Sequence, residues 1–491
     1  MLDLGNTIFK DWAHPEAEMD TRIKRMRFAV IGVLLLCAMA MQARATRITV
    51  TNTNDSGPGS LRQALTDAHD GDFINFATAL NGQAITLTSA ELVIDKNITI
   101  NGPGPAMLAV SRSSNTSFRI FHVMPGDTVT IQGLTISGGS GEYGDAGGGV
   151  LNDHATLTLH NCAVDFNGSA YAGGGIFNDG SNGSATLTIV NSSINSNFSP
   201  FGAGICNEDD QGSATLRILN SAVNDNISTG GSPPLDLGAA GGIANSGIVT
   251  ITNSVISSNS ASNEGGGILS AIGELTITNS TISGNRAGGF GTNNWPGRGG
   301  GIYADGSVTI SNSTISGNSA WGNDFKGPGV DGGISGGGIT IMNSTVSGNS
   351  ATICGGVCGG TVETGNTILN ANAPGNIDGS VTSDGYNLSS DDGGGFLTGP
   401  GDQINTDPML GPLQDNGGPT FTHALLPGGP AIDAGDPNFT PPPFYDQRGP
   451  RFRRVFNGRI DIGSFEAQPP PPPLPTPRPR PTPLPRPIPA R

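Results

Sequence analysis

The stretch LTITNSTISGN, residues 275–285, decides the fold because near copies of it recur through the middle of the chain. Each copy starts at an Asn, and the copies read NCAVDFN, NSSINSN, NSAVNDN, NSVISSN, NSTISGN twice, NSTVSGN and NTILNAN, from Asn161, Asn191, Asn220, Asn253, Asn279, Asn312, Asn343 and Asn366. Successive starts lie 23 to 33 residues apart. A recurrence at this spacing is typical of a solenoid.

The pattern inside each copy predicts three short strands. Apolar residues lie four and two residues before the first Asn, as Leu275 and Ile277 do, and such alternation is typical of a strand. A third apolar residue, such as Ile282, has the opposite parity, so the chain must turn a corner at the Asn-Ser pair. A Gly cluster before a further apolar residue, as in GGGI ending at Ile268, predicts another tight corner and a third strand. With no helical pattern between the copies, the sequence predicts an all-β parallel β-helix.

The repeated first Asn is expected to have a structural role. A catalytic site needs one such residue, whereas a stack of amides along one corner needs many. We therefore predict an inward column in which each amide bonds to the coils above and below. Its predicted members are Asn191, Asn220, Asn253, Asn279, Asn312 and Asn343.

The acidic charge of the chain limits the kinds of partner that it is expected to bind. The formal net charge is −16, and residues 120–440 hold 26 acidic side chains against four basic ones. A surface of this sign repels phosphates, so nucleic acid is not an expected partner.

The first residues predict export. Basic Arg22, Lys24, Arg25 and Arg27 precede an apolar run over residues 28–41 and the small-residue signal Ala43-Arg44-Ala45. This order is typical of a secretory signal peptide, assigned here to residues 1–45, and the run is short for a membrane span. We expect an extracellular or cell-surface protein with no transmembrane segment after signal removal.

Four cysteines remain after signal removal, and an exported protein is able to pair them in three ways. Cys354 and Cys358 are close enough in sequence to close a small loop, and they form the candidate disulfide. Their CxxxC spacing, with no His nearby, argues against a metal site. We therefore expect neither a metal nor a cofactor.

The ends of the solenoid are predicted to carry caps, because an exposed sheet edge invites aggregation. In the N-terminal cap, residues 46–118, Ser60 and Gln63 form a capping-box pattern ahead of a helix with apolar Leu61, Ala64, Leu65 and Ala68. Repeats follow over residues 119–400, and a C-terminal cap is predicted over residues 401–468. The Pro- and Arg-rich residues 469–491 predict a disordered, extended tail whose Arg side chains suit an anionic surface.

Motifs near both ends carry a family resemblance. The stretch TVTNTNDSGPGSLRQAL, residues 49–65, resembles the N-terminal cap of bacterial exported β-helix repeat proteins. LQDNGGPTFTHALLPGGPAIDAGDPN, DQRGPR and DIGSFE, which start at residues 413, 446 and 461, resemble the C-terminal region of the choice-of-anchor Q family. The resemblance implies a right-handed parallel β-helix of the pectin-lyase type in a surface or secreted protein. It implies no reaction.

Catalytic motifs are poorly represented. A galacturonan hydrolase of this fold would need an Asn-Thr-Asp, an Asp pair, a Gly-His-Gly and an Arg-x-Lys along the coils. Here Asn405-Thr406-Asp407 lies beyond the repeats and the last two motifs are missing, so no catalytic residue is assigned. A calcium-dependent lyase would need clustered acids and a basic residue to remove a proton. A structural, adhesive or glycan-binding role is therefore favoured, and a polysaccharide lyase or glycoside hydrolase is the alternative; calcium is expected only with that alternative.

Loop lengths predict a binding side. The loops after Asn226, Asn285 and Asn318 are longer than the others and leave from one corner, so they project on one side. Aromatic rings stack on sugars, and Arg or Lys pairs with a uronate or a sulfate. The last two loops supply both residue types, which predicts a glycan site; the alternative is that the Trp rings hold the loops against the coils. The candidate residues are Trp295, Trp321, Arg286, Arg298, Lys326 and Asp324.

Overall fold

The computed structural model describes residues 45–469 except 114, 143, 231–239, 290–295 and 323–326. The predicted signal peptide and Pro-rich tail lie almost wholly outside the described residues. The unit that begins at Arg47 is a parallel β-helix of about ten turns, as the repeat pattern predicts.

Three parallel sheets form the walls of the β-helix. Sheet 1 has 20 strands, because most coils contribute two short strands and the last four contribute one long strand each. The strands of sheet 1 are Arg47–Val50, Phe73–Phe76, Leu92–Ile94, Thr99–Asn101, Phe121–Val123, Thr128–Gln132, Val150–Asp153, Thr156–His160, Ile176–Asp179, Ser184–Val190, Ile205–Glu208, Ser213–Leu219, Ile243–Asn245, Ile248–Thr252, Ile268–Ser270, Glu274–Thr278, Ile302–Ser311, Ile334–Met342, Val357–Gly365 and Ile377–Gly385. The strands of sheet 2 are Gln83–Leu87, Leu108–Arg112, Thr135–Ser137, Ala163–Asp165, Ser193–Asn195, Ala222–Asn224, Val255–Ser257, Thr281–Ser283, Thr314–Ser316, Thr345–Ser347, Ile368–Asn370 and Leu388–Ser389. The strands of sheet 3 are Ser140–Gly141, Gly168–Ser169, Phe198–Ser199, Ile227–Ser228, Ser260–Ala261, Arg286–Ala287 and Ser319–Ala320.

A short helix, Leu61–Asp67, lies near the first coils, as predicted. The Ser60 hydroxyl accepts a hydrogen bond from the backbone N–H of Gln63, which satisfies one of the free donors of the first turn. Leu61, Ala64 and Leu65 are buried in the main core. The Gln63 side chain bonds to Asp67 rather than back to Ser60, so only half of the predicted capping box forms. Two 3₁₀ turns, Thr78–Leu80 and Gly393–Gly395, complete the helical elements of the described chain.

The first Asn of each repeat occupies the corner between sheets 1 and 2, but it does not form the predicted inward ladder. All eight have a left-handed backbone with φ between 49° and 54°, a conformation that Asn tolerates better than most residues. Asn191 and Asn220 are exposed, and the residue after the Asn points inward instead. That residue builds a hydroxyl ladder, in which the Ser192 N–H donates to Ser221 Oγ at 3.0 Å, and Cys162 holds the same position one coil earlier. The prediction of one continuous inward ladder was wrong: the shared property of these Asn residues is the left-handed backbone, and their side chains pair in Asn312 with Asn279 and in Asn366 with Asn343.

The buried amide ladder is formed by the second Asn of each repeat, six residues later, at the corner between sheets 2 and 3. Each side-chain N–H donates to the side-chain oxygen of the next coil at 2.8 to 3.1 Å. The same amide nitrogen usually also donates to a main-chain carbonyl, as Asn259 does to Val223. Burial without a partner would be costly, so the ladder fixes this corner. The ladder residues are Asn167, Asn197, Asn226, Asn259, Asn285, Asn318, Asn349 and Asn372, and the last of them donates to Asn376, which follows it by four positions and ends the column.

The residues after 409 do not simply close the last coil, as the predicted cap over residues 401–468 would. An antiparallel hairpin, Leu410–Gln414 and Thr422–Leu425, begins a segment that lies along the outer side of sheet 2. We call residues 410–468 the covering segment. Its Gln447 and Ser464 contact Thr314, and the Thr281 hydroxyl donates to the carbonyl oxygen of Phe421.

The covering segment has a buried polar interior, and its DQRGPR and DIGSFE stretches provide it. The Arg448 guanidinium pairs with Asp446 at 2.6 Å and lies between the Phe452 and Phe465 rings, 3.9 and 3.7 Å from their centroids. The backbone N–H of Glu466 donates to Asp446, which joins the two stretches. These motifs therefore build the fold of the covering segment.

The described cysteines divide into a bonded pair and two buried thiols. Cys354 and Cys358 are joined by a disulfide. Cys162 and Cys206 are buried and free, and burial raises the pKa of the Cys162 thiol to about 11. Such thiols are poor nucleophiles, so both have a packing role.

Candidate functional site

Two of the six predicted glycan-site residues meet on sheet 3. Arg286 and Ser319 are paired neighbours on adjacent coils, and Trp321 follows Ser319 by two residues. The Arg286 guanidinium lies 4.7 Å from the Trp321 ring centroid, and the indole N–H donates to Ser319 Oγ at 3.0 Å. The stack brings a cation and an aromatic ring to one point on the surface.

An open cleft of about 590 Å³ lies beside the Trp321 ring. Pro328, Ser350 and Thr352 line its other walls. The Trp321 residue is 53% exposed, so it does not hold its loop by burial, which was the alternative role for this ring. The cleft therefore presents an aromatic ring, a proline and hydroxyl groups to a ligand.

Arg298 lies apart from this pair. Its guanidinium is 3.9 Å from the Glu264 carboxylate. Burial is the main cause that raises the pKa of Glu264, and Arg298 opposes it. Arg298 is thus a partner of Glu264 rather than a member of the Trp321 cleft. Trp295, Asp324 and Lys326 lie outside the described residues.

Exposed apolar residues continue along sheet 3, and the sequence reasoning missed them. Phe198 and Ile227 are paired on adjacent coils and are 56% and 45% exposed. The Phe198 ring lies over Gly168, where any Cβ would collide with it. Tyr171 and Phe166, in the same part of the molecule, are also exposed.

The signal for these residues is their position after the second Asn. In the pairs Asn197-Phe198, Asn226-Ile227 and Asn285-Arg286, the Asn is buried in the ladder and the next residue faces outward. Once the ladder column is known, the outer row of sheet 3 follows from the sequence. We call this row, with Tyr171 and Trp321, the sheet 3 face; its members along the coils are Gly168, Phe198, Ile227, Ser260, Arg286 and Ser319.

A second groove, of about 420 Å³, lies on the part of sheet 2 that the covering segment leaves open. Pro105 stands at one end and Pro419 at the other. Between them the corner residues Asn191, Asn220 and Asn253 line one side. Three of the six residues predicted as an internal ladder are therefore surface residues of a groove.

A chain of alternating charges joins the first coils on the outer side of sheet 1. Arg119 pairs with Glu91 at 3.0 Å, and the His122 ring nitrogens lie 3.2 Å from Glu91 and 3.3 Å from Asp153. The other Asp153 oxygen contacts His154 Nδ1. Because carboxylates only accept, His122 donates twice only when it is protonated. The hydrogen bond with Glu91 raises the pKa of His122, and the bond to the Ser181 carbonyl raises the pKa of His154.

Two groups of side chains have donor atoms close enough to share a metal ion. In one group, Asp331 lies near Cys354 and Cys358, whose sulfurs are already joined in a disulfide. In the other, Asp153, His154 and Asp179 place their donor atoms within 4.8 Å of one another. His154 already bonds through both ring nitrogens, so a metal would have to displace its protons.

Within the described part of the chain, no helix has the length and apolar character needed to cross a membrane.

Comparison with known proteins gives distant structural similarity. No family model matches the chain, and no curated protein matches it significantly. The chain is similar to pectate lyase Pel9A, with 14% identity, 87% of this chain and 97% of that chain covered, and a TM-score of 0.41. For the alginate lyase from Paenibacillus sp. str. FPU-7, the identity is 18%, the coverage 68% and 99%, and the TM-score 0.37. For ORF18 of Geobacillus virus E2, the identity is 12%, the comparison covers 77% of this chain and 65% of that chain, and the TM-score is 0.26. Similarity this distant assigns neither a substrate nor a reaction to this chain.

Proposed function

We propose that the protein is an exported, surface-associated β-helix protein that binds a linear acidic polysaccharide along its sheet 3 face. The observation that carries the proposal is the exposed Trp321 ring, stacked on Arg286 beside an open cleft. The resemblance of the terminal motifs supports membership of the choice-of-anchor Q family, and the N-terminal residues support export.

The aromatic and aliphatic residues supply stacking surface. A contiguous patch of large, exposed apolar side chains is typical of a binding surface. Phe198, Ile227 and Trp321 fit this description, and rings of this kind stack on the apolar faces of sugars.

The cation supplies specificity. Residues 120–440 hold only four basic side chains, and one of them, Arg286, lies in this row. The Arg286 guanidinium also donates to the carbonyl oxygens of Gly288 and Gly289, and its positive charge attracts the carboxylate or sulfate groups that a neutral sugar lacks. An acidic polysaccharide therefore fits the face better than a neutral one.

The row is long enough for a polymer. Phe198 and Ser319 are four coils apart, and a coil adds about 4.8 Å, so the row spans about 20 Å. A ligand that contacts both Phe198 and Trp321 therefore has several sugar units.

The test measures binding of pectate, alginate and a sulfated polysaccharide to the mature protein by calorimetry. Trp321→Ala and Phe198→Ala should each weaken binding about 5- to 30-fold, because a lost stacking contact is worth about 1 to 2 kcal/mol. Phe444→Ala is the matched control, since Phe444 is 67% exposed but belongs to the covering segment. Unchanged binding in folded Trp321→Ala and Phe198→Ala would refute the proposal.

A second candidate function, cleavage of an acidic polysaccharide by β-elimination, is favoured by the charged chain on sheet 1. His122 and His154 each contact one oxygen of Asp153, and Arg119 lies in the same cluster. Elimination needs a base for the proton next to the uronate carboxylate, and calcium would be a cofactor only here. Ultraviolet absorbance of unsaturated products, with and without calcium, tests this candidate. His122→Gln should abolish any such activity, and activity that survives this change would exclude the cluster.

A further inference from the structure

We infer that the groove on the open part of sheet 2 is a second carbohydrate site, and that it binds a neutral, linear, hydroxyl-rich polysaccharide. The inference does not depend on the proposed function, because it concerns a different face and a different ligand chemistry.

The first observation concerns the side-chain amides of the Asn residues that line the groove. Asn220 and Asn253 line the groove, and their side chains make no hydrogen bond within the described part of the chain. Asn191 makes only one, at 3.4 Å, to His160. Each free amide offers two donors and an acceptor, a combination that matches the hydroxyl groups of sugars.

The covered coils show what the same column does when it has a partner. Asn312 donates to Asn279 and to the carbonyl of Tyr445, and Asn366 donates to Asn343 and to the carbonyl of Asp461. There the chain's own covering segment satisfies the amides. The groove is the continuation of that interface beyond Pro419.

The absence of charged residues among those that line the groove favours a neutral ligand. The groove is lined by prolines, asparagines, serines, one cysteine, alanine and valine, all uncharged, in a protein of net charge −16. A ligand with carboxylates or sulfates would find no cation here to bind it. A neutral polymer loses no such interaction, so its hydroxyl groups are the best complement to the amides.

Repetition favours a polymer over a single sugar. Asn191, Asn220 and Asn253 stand on successive coils, about 4.8 Å apart, so identical amides recur at roughly the length of one sugar residue. Neighbouring sugars of an extended β-linked chain are turned about the chain axis, so hydroxyl groups of different kinds face the coils at a similar interval, and an amide, which both donates and accepts, is able to bond to each kind. Such a chain is able to bond to each coil in turn between Pro105 and Pro419.

The test measures binding of cellohexaose, mannohexaose and xylohexaose to the full mature protein by calorimetry. The double variant N220G/N253G removes both amides and keeps the left-handed backbone, because Gly adopts this conformation freely. The matched control S196G/S258G replaces two left-handed residues of nearby coils at the next corner, outside the groove. We expect wild type and control to bind at least one hexasaccharide, and N220G/N253G to bind it at least tenfold more weakly.

A second variant covers the case in which N220G/N253G fails to fold. Ala222 is a small residue in the floor of the groove, so A222R should fill it without touching the internal ladders. Loss of hexasaccharide binding in A222R, with binding retained in W321A, supports a separate site. Absence of hexasaccharide binding in wild type, or equal binding in A222R, overturns the inference. Binding that appears only after residues 470–491 are deleted also overturns it, because the chain's own tail would then be the occupant.

Discussion

Sheet 2 has two halves built from the same repeat, and only one of them is covered. In the coils from Thr281 to Leu388 the outer side contacts the covering segment, whereas the coils from Ala163 to Ser257 form the open groove. The two halves differ in the residue two positions after the first Asn of each repeat. It is Thr281, Thr314 and Thr345 in three covered coils, each nearly fully buried, and Ala163, Ser193, Ala222 and Val255 in the open ones.

The difference shows how one scaffold serves two purposes. The repeat sets the internal ladders and the left-handed corner identically in both halves. The outward residues then decide whether a coil binds its own chain. Threonine hydroxyls there bond to the Phe421 carbonyl, to Gln447 and to Ser464, whereas the open coils keep only short side chains and free amides.

The largest effect on stability is expected from a substitution that loosens the covering segment. Arg454 is fully buried and donates to the Gly463 carbonyl and to Asn343 of the β-helix. Arg454→Ala should lower the free energy of unfolding by about 3 to 5 kcal/mol, because a large buried side chain is lost and the Gly463 carbonyl and Asn343 lose their buried donor. Urea unfolding measures this, and hydrogen exchange should localise the loss to residues 410–468 and to the strands beneath them.

Arg217→Ala is the control for this change. Arg217 is exposed on sheet 1 at a coil of the open half, so its loss should stay within about 0.5 kcal/mol. Equal losses in the two variants would contradict the special role of the covering segment.

The next prediction concerns how the free energy of unfolding depends on pH, and this dependence should come from the covered half of the molecule. Burial raises the pKa of Glu466 to about 8 and that of Asp461 to about 6. The folded protein therefore keeps protons on these carboxyls at pH values where the unfolded chain has lost them. Their stabilising contribution is complete below their ordinary pKa values of 4.5 and 3.8, falls as pH rises through about 6 and about 8, and is flat above that range.

Urea unfolding at a series of pH values checks this prediction. Stability should decline toward pH 8, and Glu466→Gln, which imitates the protonated carboxyl, should flatten the decline. An identical pH profile in wild type and Glu466→Gln would show that Glu466 is not the titrating group.

The sequence predicts the coils well because their signal repeats. Alternating apolar residues such as Leu275 and Ile277 and a period near thirty residues specify strands, corners and stacking order. The ladder was assigned to the wrong column because both Asn columns have the same period. Periodicity does not tell a left-handed corner residue such as Asn220 from an inward amide such as Asn226.

The covering segment and the sites escape prediction for a different reason. Contacts such as Gln447 with Thr281 join residues 166 positions apart and occur once, so no repeat reveals them. At the predicted glycan site, the shared corner of the long loops suggested Arg286 with Trp321, and these two side chains do meet, but it misplaced Arg298, whose guanidinium lies near Glu264. A partial clue was present in the change from NSS, NSA and NSV to NST between successive repeats.

A smaller effect distinguishes the two Asn columns. Asn259→Ala removes an amide that donates to Asn285 and to the Val223 carbonyl, so it should cost about 1 to 3 kcal/mol. Asn253→Gly, one corner earlier in the same coil, should stay within about 1 kcal/mol, because its amide makes no hydrogen bond in the described chain and Gly accepts the same φ. Urea unfolding measures both, and the reverse order would restore the first column as the structural ladder.

The smallest effect tests the outward Thr itself. Thr314 is fully buried, and its hydroxyl donates to Gln447 Oε1 at 2.6 Å and contacts Ser464 Oγ at 3.0 Å. Thr314→Val keeps the shape and the strand preference but leaves two buried polar groups short of a partner, so it should cost about 1 to 2 kcal/mol. Ser193 holds the equivalent position in the open half, where Ser193→Val should change the free energy of unfolding by less than about 0.5 kcal/mol. In the double variant Thr314→Val with Arg454→Ala, the Thr314 cost should shrink, because a loosened covering segment lets water satisfy Gln447. Full additivity of the two changes would show that Thr314 stabilises the coil rather than its cover.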